Sequence, residues 1–274
     1  MRAGVAGLLL SALLIGSVGS VWAQGGHGPT FGLATPTLPA RAWNVDGTLM
    51  SAAADGRRGL MARITIRYGL TRDVQFNLSI PYRLRRMPLA VHTRIGTMMA
   101  GPGDLELSAL WRFFVRYPGV GERLEASLLA GALYPIETER GPVRVGPGGH
   151  LALVAGYASR TFYFWSGGGW QRYARQNADR RGDLWYASLV AGWRPPLFRR
   201  DYPKPDWRVF GEILFEATTP DRKETTEVYP AEQRLFAGPS VLGLYGKWGL
   251  SAGVLFPLTR AGSVRLGLNV SYWL

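Results

Sequence analysis

Charged side chains recur at alternating positions within several apolar segments of this chain. Neighbouring side chains of a β-strand point to opposite faces, so these residues would share one polar face of their strands. Acidic and basic groups on such a face can form ion pairs across adjacent strands or bind charged solutes. The candidates are Arg63, Arg67, Glu106, Arg112, Glu125, Arg208, Glu212, Glu216 and Arg234.

Two interpretations of this polar face stay open. Across the turn at 116–121, antiparallel pairing would bring Arg112 near Glu125, and Arg234 would lie across from Glu216. This alternation of sign favours a structural ladder of opposite charges that fills a narrow barrel. The same groups could serve as the selectivity residues of a polar conduit, and the two interpretations are compatible in part.

Residues with catalytic potential are few. The chain has no cysteine and 3 histidines, His27, His92 and His150, and it contains neither an HExxH nor a GxSxG motif. His150 would lie on the polar face, opposite Leu151 and Leu153, so a membrane hydrolase with His150 as its base is a further hypothesis. The sequence predicts no enzyme, no catalytic residue, no metal site and no cofactor.

The N-terminal residues predict export. Arg2 precedes an apolar run from Leu8 to Val21, and Ala23 provides the small residue that signal peptidase requires. We therefore expect residues 1–23 to be a cleaved signal peptide. A short membrane anchor is the alternative, but no stop-transfer charges follow the apolar run.

From residue 43 onward the apolar residues recur with a period of two, as the strict alternation from Val74 to Ile80 shows. This pattern predicts an all-β fold, a transmembrane antiparallel up-and-down β-barrel over residues 43–274. A soluble β-sandwich also alternates, but it buries its apolar faces and turns more often. The expected strands, about twelve in number, are 43–53, 58–69, 73–83, 103–115, 122–134, 148–158, 160–173, 182–194, 206–218, 233–245, 247–257 and 262–274.

The connections between these strands alternate in length. Mostly short turns alternate with longer loops such as 84–102 and 135–147, which predicts that both termini face the periplasm. The long turn at 195–205 and the short last loop at 258–261 break this pattern, as a miscounted strand would. Before the first strand, the proline-containing segment 24–42 would either hang into the periplasm or plug the lumen.

Basic residues are concentrated around the loop 84–102, which contains no acidic residue, and the whole chain has a formal charge of +13. An exported protein rarely meets nucleic acid, so lipopolysaccharide phosphates or anionic solutes are the expected partners. A solvated basic loop without a ligand is the alternative. The residues concerned are Arg83, Arg85, Arg86, His92 and Arg94.

The last expected strand contains a short sequence motif. Arg265, Gly267, Val270 and Tyr272 follow the pattern polar-x-Gly-x-x-hydrophobic-x-hydrophobic, which resembles the signal read by the barrel-assembly machinery. An ordinary amphipathic strand would show the same alternation. The terminal position in an exported chain favours the assembly signal, and it predicts the bacterial outer membrane as the location.

Several stretches resemble a family of outer-membrane proteins named for a MetA pathway of phenol degradation. They are Phe31 to Leu38, Tyr68 to Asp73, Phe76 to Tyr82, and Gly101 to Leu105. The resemblance implies an outer-membrane barrel that passes small, often aromatic or hydrophobic, compounds, and it implies no catalytic residues. A channel or transporter-like barrel is therefore the leading functional prediction. The alternative is a non-conducting structural or adhesive barrel that binds lipopolysaccharide or a protein partner.

Overall fold

The computed structural model describes most of the chain after the predicted signal peptide, which itself lies outside the described residues. No helix in the described part is long and apolar enough to cross a membrane. The described ranges are 28–54, 57–85, 104–136, 139–140, 143–198, 204–224, 226–260 and 262–274.

The strands form one closed antiparallel barrel, and its 12 strands confirm the predicted fold and strand number. Each barrel strand pairs with the barrel strands before and after it in the chain, so the connectivity is up-and-down. The barrel strands are β1 (Trp43–Ala54), β2 (Arg57–Gly69), β3 (Val74–Arg85), β4 (Asp104–Arg116), β5 (Arg123–Pro135), β8 (Gly148–Ala158), β9 (Phe162–Tyr173), β10 (Leu184–Trp193), β11 (Asp206–Thr218), β14 (Glu232–Tyr245), β15 (Trp248–Pro257) and β16 (Arg265–Trp273).

The first and last strands close the barrel. Asn44 of β1 lies opposite Trp273 of β16, and the pairing continues to Ala52 and Arg265. The chain therefore enters and leaves the barrel at the same end, which we call the terminal end, and the opposite end is the loop end. The assignment of the terminal end to the periplasm stays a prediction.

Alternation along each strand separates an apolar outer surface from a buried inner one. In β10, Leu184, Tyr186 and Val190 are buried, whereas Trp185 and Leu189 are exposed on the outside. Large apolar side chains are exposed in the same way on the other barrel strands. A closed barrel with this outer surface satisfies its backbone hydrogen bonds internally, as the hydrocarbon core of a bilayer demands.

The described residues of the long connection after β10 contain no additional barrel strand. Its described part begins with a 3-10 turn at Pro196–Phe198, and β10 pairs directly with β11 along its full length, from Leu184 opposite Thr218 to Trp193 opposite Val209. The atypical length of this turn therefore does not alter the strand count.

Loops at the loop end contact one another through backbone and carboxylate groups. The amide of Arg144 donates to Asp179 at 2.9 Å, and the amide of Gly182 donates to Asp221 at 2.6 Å. Burial raises the pKa of the Asp221 carboxyl group, although the Gly182 hydrogen bond and Arg181 oppose this effect. Two small hairpins belong to these loops, formed by β6 (Glu139–Arg140) with β7 (Val143–Arg144) and by β12 (Asp221–Lys223) with β13 (Thr226–Tyr229).

An arginine scan of the outer surface tests the placement of the barrel in a bilayer. Leu268 and Val264 are both 42% exposed, but Leu268 lies at the middle of β16 and Val264 precedes the strand. We expect Leu268→Arg to lower the free energy of unfolding in lipid vesicles by about 2–4 kcal/mol, and Val264→Arg by about 0–1 kcal/mol. Equal losses at the two depths, measured by denaturant unfolding, would contradict the transmembrane placement.

Candidate functional site

Residues 28–38, which we call the lumen segment, run inside the barrel. Phe31, Leu33 and Leu38 are each at most 3% exposed. After Leu38 the chain leaves the lumen at the terminal end, where the amide of Arg41 donates to the carbonyl of Gly69 at the end of β2. The segment has no regular secondary structure, so its backbone groups need partners from the barrel wall.

Glu212 of β11 holds the inner end of the lumen segment. Its carboxylate accepts hydrogen bonds from three consecutive backbone amides, those of Thr30 (2.9 Å), Phe31 (2.8 Å) and Gly32 (2.6 Å). The hydroxyl of Ser240 on β14 donates to the same carboxylate. Glu212 is 2% exposed, so amide dipoles and a hydroxyl, rather than water, stabilise its carboxylate.

The middle of the segment is fixed through Thr35. Its hydroxyl donates to Glu125 at 2.8 Å and accepts from the indole nitrogen of Trp165 at 3.0 Å. Its carbonyl accepts from the hydroxyl of Ser127 at 3.1 Å. These three bonds connect one residue of the segment to two strands, β5 and β9, and fix its depth in the lumen.

Side chains near the terminal end bind the outer part of the segment. The amide of Leu38 donates to the side-chain oxygen of Gln75 at 2.8 Å, and the Thr37 hydroxyl donates to the carbonyl of Arg72 at 2.6 Å. Pro29 and Pro36 have no backbone N–H, so they leave no amide donor to be satisfied inside the lumen. A segment of this composition can therefore fill a lumen without forming a strand or helix.

The apolar side chains of the segment complete two hydrophobic clusters. Leu33 and Ala34 belong to a cluster on one side of the lumen with Leu110, Trp165 and Phe210. Nearer the loop end, Phe31 belongs to a second cluster with Met50, Met61, Leu214, Phe236 and Leu255.

A cavity of about 110 Å³ lies between the lumen segment and the remaining wall. This volume holds several water molecules. Its wall combines apolar side chains, among them Leu110, Leu129 and Leu242, with ten polar ones. We call the polar residues the polar wall: Asp46, Thr48, Arg63, Thr65, Arg67, Gln75, Asn77, Ser251, Asn269 and Ser271.

Ion pairs form a layer near the terminal end. Arg112 binds both Glu125 and Asp73 at 2.8 Å, so the structure brings together the two residues predicted to meet across the 116–121 turn. Arg123 also contacts Glu125, at 2.7 Å. Further pairs in this layer are Arg67 with Asp46, and Arg194 and Arg208 with Asp206.

A second layer of charges lies nearer the loop end. Glu216 and Arg234 are register partners, as predicted. However, Glu216 binds Arg265 of β16 through two bonds of 2.8 and 2.7 Å, and Arg234 contacts Glu232. The Arg265 guanidinium also lies 3.8 Å from the centre of the Phe236 ring.

His150 belongs to this second layer of charges, nearer the loop end. Its Nε2 atom lies 3.2 Å from Glu106, and both side chains are completely buried. Arg63 interacts electrostatically with the same Glu106. The ring fits because its cross-strand neighbour is Gly131, where a Cβ atom would collide with it. The enclosed position of the ring does not favour His150 as the base of a hydrolase.

The other predicted site residues lie on the polar face, on β3 or on β16, or outside the described residues. The charged candidates of the polar face all lie on inward positions. Arg83 and Arg85 belong to β3 by their backbone, while Arg86, His92 and Arg94 lie outside the described residues. Of the proposed assembly motif, Val270 is exposed outside the barrel, but Gly267 contacts the lumen segment and Arg265 points inward. Their roles in selectivity and assembly stay predictions.

The sequence-based selection missed the uncharged wall residues that bind the lumen segment. These were already on the polar face by alternation, but a serine or glutamine at such a position carries no separate chemical signal. They are Gln75, Ser127 and Ser188. The selection also missed Ser240, which binds Glu212 and not the segment itself.

Comparison with known structures supports the fold. The chain is similar to the COG4313 outer membrane channel from Pseudomonas putida F1, with a TM-score of 0.56 and 14% identity over 87% of this chain and 97% of that chain. More distant matches are OccAB4 of Acinetobacter baumannii (TM-score 0.39, 9% identity, 82% and 56% covered) and LpxR from Salmonella typhimurium (TM-score 0.39, 10% identity, 84% and 99% covered).

No protein-family model and no curated protein matches the sequence. The likeness to the family named for the MetA pathway therefore stays a resemblance. The closed barrel, its apolar outer surface and its structural neighbour identify the class of protein: this chain is a β-barrel of the bacterial outer membrane.

Removal of the inward cation Arg265 tests whether it acts through its ion pair. Both partners are 2% exposed, so Arg265→Met leaves Glu216 buried without its bidentate partner, and we expect a loss of about 3–5 kcal/mol. The double variant Glu216→Leu, Arg265→Met should recover most of this loss. Urea unfolding of barrels refolded in detergent measures both. Unchanged stability, with loss of insertion only in cells, would instead support the assembly-signal role.

Proposed function

We propose that this barrel is an outer-membrane channel for small solutes, and that the lumen segment closes it. The observation that carries the proposal is the position of the lumen segment, which precedes β1 in the chain and lies beside a cavity lined in part by the polar wall. Within the described part of the chain, hydrogen bonds and apolar contacts hold the segment inside, and its withdrawal would join this cavity to the space that the segment occupies.

The polar wall supports this proposal because its side chains are hydrogen-bonded to one another. Asn269 donates to Thr48 at 2.8 Å, and Ser271 donates to Asn269 at 2.9 Å. Asn77 donates to Ser108 at 3.2 Å and accepts from Gln75. Such a wall keeps its own network when the segment leaves, and water can replace the bond from Leu38 to Gln75.

A non-conducting barrel is the alternative, and the ion pairs favour it. Arg112 and Arg265 are fully engaged with carboxylates, and opposite charges in these layers fill space as a structural ladder would. The contacts between loops at the loop end point the same way. The two functions differ in whether removal of the lumen segment opens a path.

The transported solutes and the partners are inferred from sequence. Aromatic or hydrophobic solutes follow from the resemblance alone, whereas the polar wall favours small polar or amphipathic ones. Lipopolysaccharide, as a ligand of Arg83, Arg85, Arg86 and Arg94, and the barrel-assembly machinery, as a reader of β16, are further partners that we propose on the sequence patterns.

Deletion of residues 28–38 tests the channel directly. In planar bilayers we expect the full chain to show low and intermittent conductance, and the deletion variant to show a steady conductance roughly tenfold higher. Circular dichroism and heat-modifiable migration serve as controls that the variant forms the barrel. A folded deletion variant without conductance would contradict the channel and favour the structural alternative.

A cross-link provides a second test on the complete chain. The chain has no cysteine, so Leu33→Cys with Ser188→Cys introduces a single pair where the amide of residue 33 lies 3.1 Å from the side chain of residue 188. We expect oxidation to abolish channel openings and reduction to restore them. Each single-cysteine variant is the control. Openings that persist in the fully cross-linked barrel would show that the segment is not the gate.

A further inference from the structure

Glu212 differs from four other inward carboxylates in the partners that hold it. Asp46, Glu125, Asp206 and Glu216 each contact at least one arginine. Within the described part of the chain, the hydrogen bonds of Glu212 come from three backbone amides of the lumen segment and from Ser240. No cationic side chain forms a salt bridge with it there.

The lumen segment therefore occupies Glu212 in the manner of a ligand. Three adjacent N–H groups present partial positive charge to one carboxylate, as a forked guanidinium or amidinium group does. When the segment leaves, Glu212 keeps only the Ser240 hydroxyl in a narrow lumen. An unpaired carboxylate in such surroundings is unfavourable, so a cation with several N–H donors would be bound there.

The Phe31 side chain fills a neighbouring pocket for an aromatic ring. Its ring lies against two glycines, where Cβ atoms would come within 2.7 Å at Gly253 and 3.0 Å at Gly267. Phe31 also belongs to the apolar cluster that includes Leu214 and Phe236. The pocket is thus flat on its glycine side and apolar on the other, and it adjoins the carboxylate because the Phe31 amide itself donates to Glu212.

We propose that Glu212, Ser240 and the Phe31 pocket form a binding site for a small aromatic cation, with the ring in the pocket and its N–H donors on Glu212. The site overlaps the position of the lumen segment, so ligand and segment exclude each other and the ligand favours the open barrel. This inference rests on the proposed function, since the segment must be able to leave the lumen.

Benzamidine is a suitable probe because it joins an aromatic ring to a planar cation with N–H donors. We expect calorimetric titration of the barrel that lacks residues 28–38 to show saturable binding, one ligand per chain. Glu212→Gln keeps the size of the side chain but removes its charge, and it should weaken binding by roughly tenfold or more. Glu232→Gln, a carboxylate change at the loop end of β14, is the matched control and should leave binding unchanged.

Three further ligands separate the contributions to binding. Benzamide retains the ring and N–H groups without the charge, guanidinium retains the charge without the ring, and benzoate reverses the charge. Each should bind more weakly than benzamidine. Equal binding of benzamide, no saturable binding of benzamidine, or binding that is insensitive to Glu212→Gln would overturn the proposal.

The full chain supplies a test that does not need the deletion. A Cβ atom at Gly32 would collide with the Val190 side chain. Gly32→Leu should therefore displace the segment and allow benzamidine to bind, even if the deletion variant does not fold. Conductance without ligand is a separate measurement. A deletion barrel that conducts but does not bind benzamidine overturns only the site, whereas one that binds without conducting overturns the channel.

Discussion

The closure of β1 onto β16 is the constraint on which the rest of this structure depends. In lipid an open sheet edge would leave backbone groups without partners, so the strands must complete a ring. A ring of about eight strands is just filled by its own side chains. The 12 strands of this barrel enclose a wider space, which side chains from the wall do not fill alone. Part of that space is filled by the lumen segment, and part remains as the cavity beside the polar wall.

The lumen segment also covers apolar side chains on the inner wall of this wide barrel. Apolar residues on the inner wall, among them Val190, Phe210 and Leu242, would face water in an empty barrel. Leu33 and Ala34 cover them. Hydrogen bonds join Gly32 to Glu212, 180 positions away in the chain, and Thr35 to Glu125, 90 positions away. Burial of apolar surface therefore stabilises the segment inside the lumen, and its exact placement comes from a few hydrogen bonds to charged acceptors.

Most of the fold could be predicted from the sequence because each strand has its own alternation of apolar and polar residues. Alternation identifies a strand and its inward face without knowledge of its neighbours, and a short turn fixes the register of a hairpin. The contact of Arg112 with Glu125 was predicted on this basis, although a β-bulge makes Ser127 the register partner of Arg112, so the ion pair runs diagonally across the two strands. The same reasoning placed Glu216 opposite Arg234, which is correct for the backbone. It does not reveal the bond from Glu216 to Arg265, because that bond crosses two intervening strands and depends on barrel closure.

The path of residues 28–38 was not accessible in the same way. The segment has no period, and its partners Gln75, Glu125, Ser188 and Glu212 are distributed along the chain without a common spacing. Only the completed lumen brings them together. The completed lumen also shows how charge is distributed along the barrel. Ion pairs lie in layers towards the two ends, and hydrogen-bonded neutral groups line most of the polar wall between these layers. The ion-pair layers and the hydrogen-bonded polar wall thus lie at different depths of one lumen. Glu212 lies between the two ion-pair layers, and the backbone amides of the segment are its partners.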